Sequence, residues 1–242
     1  MPLYRDEAVV LRTHKLGEAD RIITLLTRSN GRVRAVAKGV RRTTSKFGSR
    51  LEPFTHVDLQ LAVGRNLDVI TQAETRSAFS AELGYDYARY TAGTAMLETA
   101  SMLVPEEKEP ALQHFLLLVG GLRAMTGGEH RPGQVLDAYL LRSLSVAGYA
   151  PSFDHCAHCG REGPHRWFNP SMGGMLCTTC RIPGSVTPAP ETIEVLGALL
   201  AGDWGVVEAA AGRHLKEASG LVAAFLSWHL ERSLRSLAYV ER

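Results

Sequence analysis

The stretch RIITLLTRSNGRVRAVAKGVRRTTSKFGSR, residues 21 to 50, reads as two β-strands followed by a basic loop. In RIITLLTR and RVRAVAK the apolar residues recur with period-two character, the spacing of a half-buried strand and not of a helix. Asn30-Gly31 between them supplies the residues that tolerate the positive φ of a tight hairpin. The same texture continues outward, as AVVLRTHKL before this stretch and as FTHVDLQLAV and NLDVITQAE after it, the last two joined through Gly64-Arg65-Asn66. Strands this short and this closely spaced predict a small closed antiparallel barrel, of which the OB-fold is the common nucleic-acid-binding form. Alternation alone leaves an SH3-like barrel open.

The loop in the quoted stretch sets the electrostatics. Arg28 to Arg50 holds eight cations and no carboxylate: Arg28, Arg32, Arg34, Lys38, Arg41, Arg42, Lys46 and Arg50. Residues 1–76 carry fourteen Lys or Arg against eight Asp or Glu, and the remainder thirteen against seventeen. A run so unbalanced calls for a polyanion, so the eight cations are the candidate nucleic-acid-binding residues, with contacts to phosphate that are indifferent to base sequence. Arg32, Arg34 and Lys38 alternate towards one face; Arg41, Arg42, Lys46 and Arg50 sit in a loop able to wrap a backbone. Phe47 interrupts the cations and has two readings, a base-stacking aromatic or a core residue. A solubilising surface is the plain alternative for the charges.

After Phe79 the period becomes helical. SAELGYDYARYTAGTAMLETASML, ALQHFLLLVGGLRAM, GQVLDAYLLRSLSVAG, ETIEVLGALLAG and GLVAAFLSWHLERSLRSL are separated by proline and glycine, with GGEHRPG and RIPGSVTPAP as loops. In the last helix Val222, Leu226, Leu230 and Leu234 form an inward stripe. The expected class is therefore α+β, a barrel domain at 1–78 and a helical domain at 79–242 that carries an insertion at 153–183.

That insertion contains every cysteine of the chain, Cys156, Cys159, Cys177 and Cys180, as two Cys-x-x-Cys pairs. Each pair forms a knuckle and a hairpin brings the knuckles together around a tetrahedral ion, with Gly160 and Gly173-Gly174 supplying the turns. The spacing predicts structural zinc; a redox pair and an iron cluster are the competing readings. Four thiolates fill the shell, so His155, His158 and His165 are not predicted as ligands, and no position remains for water or substrate. Binding on the order of 10 kcal/mol orders such an insertion. Trp167, Phe168, Met172, Met175 and Leu176 are expected to pack it onto the helices.

No phosphate-binding glycine motif, His-Glu-x-x-His or Gly-x-Ser-x-Gly occurs, so no catalytic residue is nominated. The longest apolar run, Phe115 to Leu122, is too short to span a bilayer. MPLYRDEAVV has acids where a signal peptide needs a basic stub and an apolar run, which predicts a cytoplasmic protein with reduced thiols.

Two stretches resemble a known family. LGEADRIITLLTRSNGRVRAVAKGVRRTTSKFGSRLEPFTHVDLQL is similar to the N-terminal domain of the bacterial RecO recombination mediators, and GYAPSFDHCAHCG with FNPSMGGMLCTTC resembles their zinc insertion. The resemblance implies an N-terminal OB domain, a helical C-terminal domain with the zinc module, and a DNA-repair role at the nucleoid. It implies binding of single- and double-stranded DNA, annealing of complementary strands without catalysis, and partnership with RecR, with the C-terminal tail of single-strand-binding protein and, indirectly, with RecA filaments. For the acidic, apolar-ended tail the candidate residues are Arg123, Arg142, Lys216, Arg232 and Arg235. The alternatives are a zinc-dependent enzyme acting on nucleic acid and a protein-protein adaptor whose basic half keeps it soluble.

Overall fold

Strand alternation closes into a barrel. The computed structural model describes residues 2–230 and 234–240. Its first five strands are β1 (Leu3–Leu16), β2 (Asp20–Thr27), β3 (Gly31–Ala37), β4 (Thr55–Ala62) and β5 (Asp68–Ala78). They pair in the order β1-β2-β3-β5-β4 and close where Leu3 faces Ala62. All pairs are antiparallel except β3 with β5, which meet in parallel at Ala35↔Asp68 and Val36↔Val69. This closure is that of an OB-fold.

The period-two residues line the interior: Val10, Ile23 and Leu25, Val33 and Ala35, then Val57, Leu59 and Leu61 are all buried in one cluster. Val40, Phe47 and Leu51, from the segment between β3 and β4, join the same cluster. Phe47 is 2% exposed, which corrects the stacking reading: the ring plugs the barrel and faces no base. Burying a side chain of this size stabilises by roughly 2–3 kcal/mol.

Three helices pack on the barrel and belong to the same compact unit, residues 1–129. These are α1 (Phe79–Leu83), α2 (Tyr87–Leu103) and α3 (Leu112–Gly127). Where the sequence suggested one helix there are two, because Asp86 caps α2 by accepting from the Arg89 N–H at 3.1 Å. α2 and α3 contact β1, and α3 also contacts β2. The outward residues Val9, Leu11, Thr24 and Leu26 are consequently as buried as the inward ones.

The second unit comprises residues 130–242. Its helices α4 (Pro132–Val146), α5 (Pro190–Ala201), α6 (Trp204–Ala209) and α7 (Gly212–His229) enclose a core of Leu136, Leu140, Leu144, Val195, Leu199, Val222 and Phe225. Proline occupies the first position of α4 and α5, where its missing N–H costs nothing. α7 starts at Gly212, ahead of the GLVAAF run, with His214 and Ala218 extending its buried face. Within this unit the hairpin β6 (Trp167–Asn169) and β7 (Gly174–Leu176) carries the cysteine module. Among the described residues no helix is long and apolar enough to cross a membrane.

Candidate nucleic-acid interface and metal centre

The basic loop is clamped at one end of the barrel. It leaves β3 at Ala37, which faces Arg21, which in turn faces Lys15 near the end of β1. The Arg41 N–H donates to the Ala19 carbonyl at 2.9 Å, and the Arg41 guanidinium donates to Glu18 O at 2.8 Å and Gly17 O at 3.3 Å. Gly39 N–H donates to Asp20 Oδ1 at 2.7 Å. On the other side Lys46 Nζ donates to Thr71 O at 2.8 Å, and Arg50 reaches back to Lys46 O at 2.6 Å. The loop thus bridges the β1–β2 turn and β5, while Val40, Phe47 and Leu51 anchor it from below.

The eight candidate cations fall into three groups. Lys38, Arg41, Arg42, Lys46 and Arg50 are exposed, and among the described residues none of them pairs with a carboxylate. Arg28 lies in the β2–β3 turn and pairs with Glu7 at 3.4 Å. Arg32 and Arg34 project outward from β3 as their alternation suggested, and both meet Glu107 on the connector between α2 and α3. Arg32 also donates to the carbonyls of Ser101 and Pro105. The run is therefore free in its loop and internally paired along its strand.

Topology adds one cation that linear reading left out. Lys15, exposed, stands beside the β1–β2 turn to which Arg41 is clamped. No local pattern marks it; the strand register brings it to this end.

Asp68 fixes the geometry of the β4–β5 turn. Its buried carboxylate accepts from Tyr4 Oη at 2.5 Å, Lys108 Nζ at 2.9 Å and Gly64 N at 3.0 Å. Burial opposes its charge, but these three donors outweigh burial and hold the carboxyl below its usual range. Burial and the adjacent carboxylate push the Tyr4 phenol up.

The metal centre is assembled by two backbone knuckles. Gly160 N–H donates to Cys156 O at 2.9 Å, and Cys180 N–H to Cys177 O at 3.1 Å. Ala157 N–H joins the first knuckle to Met175 O at 2.7 Å. The Sγ atoms of Cys156, Cys159, Cys177 and Cys180 all lie within 4.8 Å of one another, and Cys159 and Cys177 are 3.9 Å apart. A tetrahedron with metal–sulfur bonds of ~2.3 Å has an edge of about 3.8 Å, so the four thiols fit one ion. All four cysteines are free. Burial opposes the thiolate at Cys156, but the N–H groups of Cys159, Cys177 and His158 outweigh it and bring this thiol down to about 5. Cys180 is pushed up to about 12, first by its hydrogen bond with Cys177. Burial is likewise outweighed at Cys177, where the backbone N–H groups of Cys180 and Thr179 lower the thiol, so the knuckle amides favour the thiolate form at one sulfur of each pair.

No histidine joins this cluster; His165 instead contacts Arg161 O at 2.8 Å. Gly174, at φ 142°, passes so close to Ser152 that a Cβ would stand 2.2 Å from its carbonyl oxygen. Phe168 meets Phe225 of α7 with centroids 6.2 Å apart, and Met175 and Leu176 are buried. Trp167 lies under the Arg181 guanidinium.

The described partner candidates fall in both compact units. Arg123 is exposed on α3 of the first unit. In the second unit Arg142 is half-buried and donates to Leu200 O at 3.1 Å. Lys216, with Arg213, His214 and Glu217, lines a groove of about 590 Å³. Arg235 is exposed, and Arg232 lies outside the described residues.

Comparison with known proteins agrees with this architecture. The family model described as "Recombination protein O N terminal" matches residues 1–79, and "Recombination protein O C terminal" matches residues 84–238. A Nocardioides sp. protein named DNA repair protein RecO is 79% identical over 243 residues, spanning 99% of this chain and 100% of the relative. Proteins of the same name from Streptomyces coelicolor and Thermobifida fusca are 61% identical over 248 and 62% identical over 242 residues, each comparison spanning 100% of both chains.

Proposed function

The chain belongs to the RecO family of DNA repair proteins, and we propose that it acts without catalysis, holding DNA strands on its barrel rim so that they anneal or pass to a recombinase. The observation that carries this reading is the loop Lys38–Arg50: five exposed cations without carboxylate partners, on a backbone clamped at both ends. A clamped loop loses little freedom on binding, so more of each contact appears as affinity.

The mechanism is electrostatic. Lys38, Arg41, Arg42, Lys46 and Arg50, with Lys15 beside them, neutralise phosphates and release condensed counterions. Two strands held on one cationic rim repel each other less, and complementary bases then pair with no nucleotide consumed. The outer face of β2 is covered by α3, which favours the rim over the strand face as the contact surface. Single and double strands both present the phosphate spacing that such a rim binds. Residues 1–78 act as the DNA-binding domain in this reading, residues 79–242 as the helical domain, and 153–183 as the metal-bearing insertion.

Cys156, Cys159, Cys177 and Cys180 would hold zinc, whose filled shell supplies rigidity and leaves no coordination position for substrate. RecR, the tail of single-strand-binding protein and, indirectly, RecA filaments are the proposed partners, in the cytoplasm and at the nucleoid. For the acidic tail we propose Arg123, Arg142, Lys216 and Arg235, with Arg232 as a further candidate.

The test is annealing of complementary strands coated with single-strand-binding protein, run without nucleotide, beside equilibrium binding to oligo(dT) across a salt series. Accelerated annealing with salt-sensitive binding supports the reading. Indifference to oligonucleotides in dilute buffer sinks it.

A further inference from the structure

We propose that the Glu107 carboxylate is a stand-in for a DNA phosphate on the Arg32–Arg34 pair, so that the strand face of the barrel is a second, masked phosphate site. The inference rests on the DNA-binding reading above and concerns the regulation of that surface.

Arg32 and Arg34 lie two residues apart on the outward face of β3 and flank one atom, Glu107 Oε1, the Arg32 guanidinium being held beside it by the Ser101 and Pro105 carbonyls. Arg34 donates to it from Nε, and Arg32 Nη2 stands 4.0 Å away. Two guanidinium groups converging on one anionic oxygen is the geometry with which arginines hold phosphate. Arg32 Nη1 and Nη2 already donate to the Ser101 and Pro105 carbonyls, so the donor that a phosphate oxygen would take over is Arg34 Nε, with the Arg32 guanidinium adding positive charge beside it. The ion pair is also within reach of solvent, with the Arg34 and Glu107 side chains 49% and 28% exposed.

The connector between α2 and α3 is built to keep the mask in place. Lys108 N–H donates to Arg32 O at 2.9 Å, extending the β3 edge by one bond, and Lys108 Nζ holds Asp68 at 2.9 Å. Gly31, at φ 58°, admits this approach: a Cβ there would stand 1.8 Å from Glu109 O. Glu106, Glu107 and Glu109 against Lys108 give residues 104–111 a charge of −2, which repels a polyanion from this face. The two Lys108 bonds, with those of the Arg32 guanidinium to Ser101 O and Pro105 O, anchor the connector without the Glu107 side chain. The Glu107 side chain can rotate away, trading one anion for another, while the connector stays bound.

The full-length protein tests this by binding to oligo(dT) across a salt series. Glu107→Gln is expected to tighten binding roughly three- to tenfold and to steepen the logarithmic salt slope by about 0.7, the increment for one more single-strand phosphate neutralised. Adding Arg34→Ala to Glu107→Gln should cancel both gains. A Glu107→Gln protein with unchanged Tm that binds no more tightly than wild type overturns the inference while leaving the rim reading intact. If wild type binds nothing and Glu107→Gln does bind, the rim reading falls and the mask stands; if neither binds, both fall. Should Glu107→Gln lower Tm, the unaltered protein decides through its Arg34 Nε–H resonance. A shift on saturation with oligo(dT) supports displacement of Glu107, and an unmoved resonance overturns it.

Discussion

Lys46 donates from Nζ to the Thr71 carbonyl oxygen at 2.8 Å, so the cation-rich loop is tied to β5 by one of its own cations. The next residue, Phe47, is buried in the barrel core with its ring centroid 5.1 Å from that same ammonium. Lys46 thus contributes both charge and a tether, whereas Phe47 contributes only placement.

Phe47→Ala should cost about 3–5 kcal/mol in stability, the range for emptying a buried aromatic site. Phe47→Leu should cost clearly less and leave oligo(dT) affinity unchanged where the protein is folded. Urea melts and binding isotherms on the same samples check both. Loss of affinity in a fully folded Phe47→Leu protein would restore a stacking role to the ring.

Arg41→Ala combined with Arg42→Ala should weaken single-strand binding and make the salt slope shallower by about 0.7 for each phosphate no longer neutralised. Fluorescence anisotropy across a salt series measures this. Unchanged affinity and slope would remove the rim from the interface.

Cys177→Ser should lower metal content and open the hairpin to protease between residues 153 and 183, because Cys177 Sγ stands 3.9 Å from Cys159 Sγ in a shared cluster. Chelation should have the same effect on the wild type. Oligo(dT) affinity should persist, since the proposed rim contains no residue of this hairpin. Elemental analysis with limited proteolysis provides the readout.

Asp68→Asn should destabilise by about 2–4 kcal/mol, since it removes a buried charge that three donors satisfy. Lys108→Met should cost ~1 kcal/mol or less, its ammonium being half exposed. Asp68 is held below its unfolded value, so its contribution is complete above pH ~4 and is lost as pH falls through the folded value. Acid melts of Asp68→Asn should lack that component.

Burial lowers His56, His114 and His229, with the Glu7 contact only partly opposing the effect at His56. Below about pH 6.5 the unfolded chain binds more protons at these sites than the folded one, so stability falls as pH drops through that value. Tm should decrease from pH 7.5 to pH 5.5, by calorimetry. A flat profile would mean that these rings stay solvated.

Much of this was legible in sequence. Period-two alternation and Asn30-Gly31 specify the barrel, because one face of each strand must be buried and the turn needs a positive φ. Cysteine spacing specifies the knuckles, since that chemistry is local. What stayed hidden depends on distant residues. Arg32 and Arg34 look as free as Arg41 until the chain returns at Glu107, and nothing near Lys15 announces that the basic loop comes back to the β1–β2 turn beside it. Phe47 is ambiguous in sequence because a lone aromatic in a polar loop has no periodicity to place it. The helix that reads as continuous from Ser80 divides at Asp86, whose capping bond stabilises a new start and leaves Gly84 outside a helix interior, where it would cost about 1 kcal/mol. Arg232, a partner candidate, lies outside the described residues.

The Lys108 amide bonded to the Arg32 carbonyl has a consequence for crowding. β3 meets β5 over only two residue pairs, and the rest of that flank would otherwise present bare amides to any neighbouring copy. Proteins that gather side by side along one polymer reach local concentrations at which such a ribbon would recruit another and seed fibres. By occupying that position with its own chain, this molecule can be packed densely without its sheets fusing.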